Sequence, residues 1–431
     1  MGMRTVGVLM LASSFGCNKA DDTSAAPTEP TGPTEPSTVT TEYTWYQDVR
    51  PLVYQKCAQC HNENGIGTGD FTTYEGIFPL ALAVEDAVGA GRMPLPTADP
   101  ECRPYHGSER MQLTDAERDM LVDWAGGGAP AGDEATAAPA DLFDGHLDDI
   151  DVVMEMPLGR ELPEEQGAND YFCTIPDNPF SGLNYIDGID VQLGDPSVVH
   201  HMCLFVDLAG NAGTGYGVDG TTAKEEGFEC GNPIIEQDWL PVHCWAPGME
   251  PVEFPSGMAM LAFDGLQFVI QMHYYNPDGQ PHTDQSAYAF RTASGADRTV
   301  EMFISGPENL WIPAGDPAWT QEASDRADRD YDILGAFPHM HLLGTHFSAN
   351  LSSEDGTEQC LVEGPYDFGH QATYMFEEPV RWEAGASLSM ACTWDNSASN
   401  PNQMNTPPLD VFWGEGTDEE MCYLLYYVSE V

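Results

Sequence analysis

The chain has 431 residues, with 15 Lys+Arg against 70 Asp+Glu and a formal net charge of −55. That balance excludes the basic face that nucleic-acid binding requires and disfavours docking on anionic lipid by charge. Hydrophobic residues at 42% still supply real cores, while 43 Gly and 33 Pro point to turn-rich β structure. At ~100–200 residues per domain, the length predicts two to four domains.

Residues 1–17 read as an export signal. Arg4 is the charged flank, residues 6–11 are apolar, and Cys17 follows Ser13-Ser14-Phe15-Gly16. Cys17 resembles the lipidated cysteine of a bacterial lipoprotein; the alternative is a cleaved secretory signal. The expectation is an exported protein, periplasmic or cell-surface, held to the membrane only through that lipid. No later run approaches the ~20 apolar residues needed to span a bilayer. Residues 18–42 carry Pro27, Pro30, Pro33 and Pro36 among Thr, Ser and Glu, which predicts an extended tether.

Residues 43–130 change character. Thr114, with Glu117 three residues on, forms a capping-box pattern that starts a helix. Met120, Leu121 and Trp124 share one face of it, and Gly126-Gly127-Gly128 stops it. Upstream, Lys56-Cys57-Ala58-Gln59-Cys60-His61 is a c-type haem attachment pattern. Two thiols at this spacing add to the two vinyl groups of one porphyrin, and the adjacent His61 reaches the iron. A CxxC redox pair or half of a zinc site explains the cysteines but not His61. For the opposite iron ligand, Met93 in Gly91-Arg92-Met93-Pro94-Leu95-Pro96 resembles the methionine loop of small class I cytochromes c, with His106 and Met111 as rivals. This α-helical, cytochrome c-like unit is followed by an Ala-, Pro- and acid-rich linker over residues 131–150.

Beyond it the pattern becomes alternating strands split by Gly, Pro, Asn and Asp, clearest at residues 198–206, 266–275, 386–394 and 420–428. This predicts a mainly β region of sandwiches or barrels. Of the eleven cysteines, eight remain after Cys17, Cys57 and Cys60. They allow up to four disulfides in any of 105 connectivities.

Several of the twelve histidines stand in unusual company. His200-His201 are consecutive, so both reach one ion only at a strand end, bulge or edge. His273 ends an apolar run before Tyr274-Tyr275-Asn276-Pro277. His339 and His341 flank Met340 on one strand face. Met421 lies in Glu419-Glu420-Met421-Cys422. Imidazole suits Cu, Zn, Fe or Ni, and an added thioether favours copper.

The ordered set His-His, His-Tyr-Tyr-Asn-Pro, His-x-His and Glu-Glu-Met-Cys resembles the copper type II, ascorbate-dependent monooxygenases, over roughly residues 154–430. The resemblance implies two tandem antiparallel β-sandwich, jelly-roll-like copper domains, here residues 151–298 and 299–431. It implies that His200, His201 and His273 bind an electron-transfer copper. His339, His341 and Met421 would bind the copper that activates O2, the two sites facing each other across a solvent-filled cleft. It further implies disulfides Cys173–Cys230, Cys203–Cys244 and Cys392–Cys422, with Cys203 displaced relative to relatives; Cys102 and Cys360 stay unassigned. The expected activity is hydroxylation of a C–H bond of a small-molecule substrate with O2. The electrons would come through the fused haem c, from ascorbate, or from a redox partner protein.

Peptide-amidating members place Arg where Phe337 stands, and polar residues where Tyr423, Leu424 and Leu425 stand. This disfavours a peptide carboxylate and favours an apolar or aromatic substrate. His243, His346 and His370 read as hydrogen-bonded or surface residues. Two other readings remain: a non-catalytic copper- and haem-binding electron-transfer lipoprotein, and a structural β protein with incidental histidines.

Overall fold

Strand Ser387–Trp394 buries Leu388, Met390, Cys392 and Trp394 and turns the residues between them outward. That two-residue period, repeated along the chain, makes the molecule mainly β. The computed structural model describes residues 41–431 apart from 64, 66, 144, 231–238, 277, 308, 354–355, 415 and 417–418. The export signal, Cys17 and nearly all of the tether lie outside the described residues.

The helical part comes first. Thr114 accepts from the Glu117 backbone, and the Glu117 carboxylate accepts from the Thr114 N–H, capping helix Asp115–Gly126 as the sequence predicts. Trp45, Val49, Val53, Ile77, Leu121 and Trp124 form a separate small core, against which Cys57 and Met93 pack. The Trp124 indole closes it by donating to the Pro130 carbonyl at 3.1 Å.

The β part begins with a sheet in the order Val152–Glu155, Ala287–Ala293, Leu183–Gln192, Met258–Phe263 and Arg298–Thr299. A second sheet runs Phe228–Glu229, Ala168–Thr174, Gln267–Asn276, Val199–Asp207 and Leu240–Trp245. Two four-stranded sheets follow. One is Glu301–Ser305, Tyr423–Glu430, Tyr331–His339 and Tyr374–Trp382; the other is Trp319–Arg326, Ser387–Trp394, Gly344–Ser352 and Glu358–Pro365. Pairing passes from the earlier sheets to the later ones between Thr299 and Glu301. Most predicted strands start within a residue of their place. The last begins at Tyr423 rather than 420, because the Glu420 side chain turns inward to collect backbone N–H groups and the chain leaves the sheet there.

Among the described residues four disulfides are present: Cys173–Cys230, Cys203–Cys244, Cys392–Cys422 and Cys102–Cys360. Cys203 and Cys244 are direct cross-strand partners. The pair left unassigned from sequence joins the helical part to strand Glu358–Pro365 across 258 residues. Around it the Asp99 N–H donates to the Glu363 carbonyl at 2.7 Å, the His106 N–H to Met375 at 2.8 Å, and the Arg103 guanidinium to the Cys360 carbonyl at 2.8 Å. Gly364 permits this approach, since a Cβ there would stand 2.8 Å from the Thr97 carbonyl oxygen. Arg110 grips Glu250, in the loop after strand Leu240–Trp245, through two nitrogens at 2.7 and 2.5 Å. Thr40–Val431 accordingly forms one compact unit.

Candidate functional site

Regular pairing would send His200 and His201 to opposite faces of their strand. The ladder slips instead: His201 pairs with His273 but Val199 pairs with Tyr274, so His200 is the extra residue of a bulge. The bulge brings all three imidazoles together. His200 Nδ1 and His273 Nδ1 lie 3.4 and 3.3 Å from His201 Nδ1. The candidate ligand atoms of the three residues fall within 4.8 Å of one another. Tyr171 stacks flat on His273 with ring centroids 4.0 Å apart. Burial pulls His200 down to about 4 and holds His201 and His273 well below the ordinary imidazole range, the neighbouring imidazoles adding to it. Neutral imidazole is the form that binds a metal. Three converging ring nitrogens with no carboxylate in the group suit copper, zinc, iron or nickel.

The second cluster is assembled differently. His339 ends strand Tyr331–His339 and His341 follows two residues later, their rings 5.3 Å apart and nearly perpendicular. His339 Nδ1–H donates to Gln371 Oε1 at 2.6 Å, and His341 Nδ1–H donates to the Glu419 carbonyl at 3.2 Å. Both acceptors fix the tautomer that leaves Nε2 as the ligand atom. Burial lowers both imidazoles, His341 to about 3. Met421 is buried beside them, and its neighbour Cys422 is tied to Cys392.

Glu420, fully buried, organises this cluster. Its Oε2 accepts from His341 N–H at 2.9 Å, Trp394 Nε1–H at 2.9 Å and Met421 N–H at 3.3 Å. Its Oε1 accepts from Leu343 N–H at 2.6 Å. Burial pushes the carboxyl up to about 7 against the pull of those bonds.

A single cavity of about 220 Å³ is lined by His201, His339, His341 and Met421 together with Ile304, Phe337, Phe368, Tyr423 and Leu425. No Asp, Glu, Lys or Arg is among its described lining residues. The turn at residues 366–371 stands beside both clusters. Its Phe368 ring stands 4.9 Å from His200 and 6.1 Å from His341 by ring centroids.

In the helical part Cys57 and Cys60 are free thiols, and burial pushes Cys57 up to about 12. His61 Nδ1–H donates to the Thr68 carbonyl at 2.9 Å, which leaves Nε2 for a ligand, and its ring stacks on Phe71. Met93 packs against the same small core as Cys57, whereas Met111 packs against the β core and His106 is exposed. Two soft thiols, a tautomer-fixed imidazole stacked on Phe71 and a thioether are a donor set that fits a c-type haem.

The other histidines stay outside these clusters. His243 is buried with its Nδ1 3.4 Å from the Tyr288 hydroxyl, His346 lies in strand Gly344–Ser352, and His370 Nδ1–H donates to the Pro96 carbonyl at 3.2 Å. Sequence reasoning missed Gln371, Phe368 and the role of Glu420. The first two carry no motif signal. A carboxylate immediately before a buried methionine was the available sign for the third.

Residues 312–431 match the family model described as copper type II ascorbate-dependent monooxygenase, C-terminal domain. MOXD1 homolog 1 of Drosophila melanogaster is 25% identical over 286 residues, which is 60% of this chain and 40% of that protein. The chain thus spans less than half the length of that curated relative. Among solved structures, the major capsid protein P2 of bacteriophage PM2 aligns at 11% identity and TM-score 0.25, over 61% of this chain and 98% of that one. An infectious bursal disease virus structure (Gt strain) aligns at 11% identity and TM-score 0.16, over 69% and 76%. Neither structural likeness is strong enough to carry an argument. The family match and the Drosophila relative support the copper type II ascorbate-dependent monooxygenase family.

Proposed function

We propose that the chain is an exported monooxygenase that hydroxylates a C–H bond of a small apolar or aromatic molecule and draws electrons through its own c-type haem. One observation carries this reading: two groups of neutral imidazoles, one of them beside a buried methionine, border one apolar cavity. His200, His201 and His273 hold the electron-transfer copper. His339, His341 and Met421 hold the copper at which O2 reacts. When bound, the two ions supply one-electron transfer and O2 reduction; O2, two electrons and two protons convert C–H to C–OH and water.

The residues around them do the rest. Glu420 fixes the backbone on either side of His341 and at Met421. Gln371 orients His339. Phe337, Ile304, Tyr423 and Leu425 exclude water from the reacting C–H bond and offer no charge to a carboxylate or an amine. The soft thioether of Met421 favours the reduced state that must meet O2. Cys57 and Cys60 carry the haem, with His61 and Met93 as iron ligands. The two β halves are tandem copper domains, residues 151–298 and 299–431, preceded by the cytochrome c-like domain at residues 43–130. Residues 1–17 direct export and Cys17 anchors the protein by a lipid. Ascorbate or a redox partner protein reduces the haem or the copper.

The test is metal and haem content of protein matured in a periplasm, with EPR of the oxidised form, then O2 uptake against a panel of aromatic and aliphatic substrates. Two type II coppers, one covalent haem and a hydroxylated product are expected. Haem without copper would end the monooxygenase reading. Copper and haem with no product from any substrate would favour the electron-transfer lipoprotein.

A further inference from the structure

The turn at residues 366–371 belongs to the later β half, yet it reaches the methionine loop at one end and both imidazole clusters at the other. At one end, His370 Nδ1–H donates to the carbonyl of Pro96, in the methionine loop. Its Nε2 faces Gly248. A Cβ built on that glycine would stand 3.3 Å from His370 Nε2 and 3.5 Å from Cys60 Sγ. The His370 ring and the Cys60 thiol therefore both stand against Gly248, and the other edge of the ring meets the methionine loop. At the other end, Phe368 stacks against His200, with ring centroids 4.9 Å apart at 27°. Gln371 accepts from His339.

The turn is held rigid by its own bonds. The His370 N–H donates to the Asp367 carbonyl at 3.0 Å, the Gly369 N–H to Asp367 Oδ1 at 2.8 Å, and Gln371 Nε2–H to the Phe368 carbonyl at 3.2 Å. The docking around it is fixed by Cys102–Cys360 and by Arg110–Glu250.

We propose that Phe368 and His370 form the electron bridge from the haem to the copper of His200, His201 and His273. The proposal rests on the haem-fused monooxygenase reading above. In each event one electron leaves the ferrous haem, which becomes ferric, and reduces Cu(II) to Cu(I). No bond forms or breaks and no proton moves.

The experiment uses the full holoprotein, loaded with haem and Cu(II). The haem is reduced by flash photolysis with a ruthenium donor, and its reoxidation is followed by absorbance without O2 or substrate. Phe368→Leu and His370→Val are expected to slow copper-dependent reoxidation by roughly tenfold or more, the equivalent of about 1.4 kcal/mol in barrier. The haem spectrum, haem midpoint potential and Cu(II) EPR should stay as in the native protein. Phe368→Tyr, which keeps the ring, should keep the native rate. Direct reduction of the coppers by ascorbate should be unchanged in His370→Val, which lies outside both copper sites. Native rates in both Phe368→Leu and His370→Val would overturn the bridge and leave the haem–copper relay standing. Slowing accompanied by a shifted potential or altered EPR would also overturn it, because distortion of a site would then explain the rate. Haem reoxidation in the native protein that ignores copper would overturn both the bridge and the relay beneath it.

Discussion

Replacing Glu420 tests how the second cluster is held. Its carboxylate accepts four hydrogen bonds, three on Oε2 and one on Oε1. Glu420→Ala strands all four buried donors, and each buried donor left without a partner costs about 1–3 kcal/mol. Glu420→Gln can keep its oxygen toward His341, Trp394 and Met421 but turns an amide toward Leu343 N–H. One stranded donor there costs about 1–3 kcal/mol. The charge of the native residue works the other way. With the carboxyl pushed up to about 7 from 4.5, the charged form is disfavoured by about 3 kcal/mol relative to the protonated one. The raised value means that the folded state holds a proton the unfolded state has released. This contribution to stability is therefore full below pH 4.5 and is lost as pH rises through about 7.

Denaturant unfolding of the copper-free protein at several pH values measures both effects. Glu420→Gln should remove part of the fall in stability over that range, and Glu420→Ala should unfold at markedly lower denaturant at every pH. Copper affinity at the His339–His341–Met421 site should fall about 10–100-fold, the usual cost of losing an outer-shell partner. A Glu420→Ala protein with native unfolding and native copper affinity would refute the reasoning.

Met421→Ala should leave most copper bound, since five imidazoles remain, but abolish product formation; copper analysis beside a turnover assay decides it, and a fully active variant defeats the ligand assignment. Cys102→Ser with Cys360→Ser should destabilise the docked helical part by about 3–5 kcal/mol, less than an isolated loop of that length implies because other disulfides shorten it. Fluorescence of Trp45 and Trp124 in a denaturant titration should then show this part unfolding first, and a single unchanged transition would count against it. Hydrogen bonds to Asp195, and then to Asp278, raise His282 above its ordinary 6.5. Its stabilising contribution is therefore full below pH 6.5 and lost as pH rises through the higher folded value. His282→Ala should remove that part of the pH dependence of unfolding, and an unaltered profile would exclude the contribution.

The mainly β character and the helix at Asp115–Gly126 were legible because each depends on short-range periodicity and capping. The clustering of His200, His201 and His273 was half legible. Adjacent histidines demand a bulge, strand end or edge, but only the pairing with His273 shows that a bulge is what the chain uses. The Cys102–Cys360 link was not legible, since nothing local distinguishes one of 105 pairings. The lining of the cavity was not legible either. It depends on where the turn carrying Phe368 and Gln371 lands, and that turn is placed by docking between distant segments rather than by any pattern of its own.

The nesting of the disulfides bears on how the molecule is made. Cysteines that paired in order of synthesis would join Cys102 to Cys173 and Cys203 to Cys230, and both pairings are wrong. Cys102 must wait for a partner 258 residues further along, while two other pairs that lie between them must form without capturing it. Cys57 and Cys60 must meanwhile escape oxidation altogether. Such a thiol inventory cannot be sorted by rapid, indiscriminate oxidation. Maturation of this chain requires thiol–disulfide exchange, which uncatalysed takes minutes to hours, so its yield should depend on an isomerase and a reductant more than on the supply of oxidant.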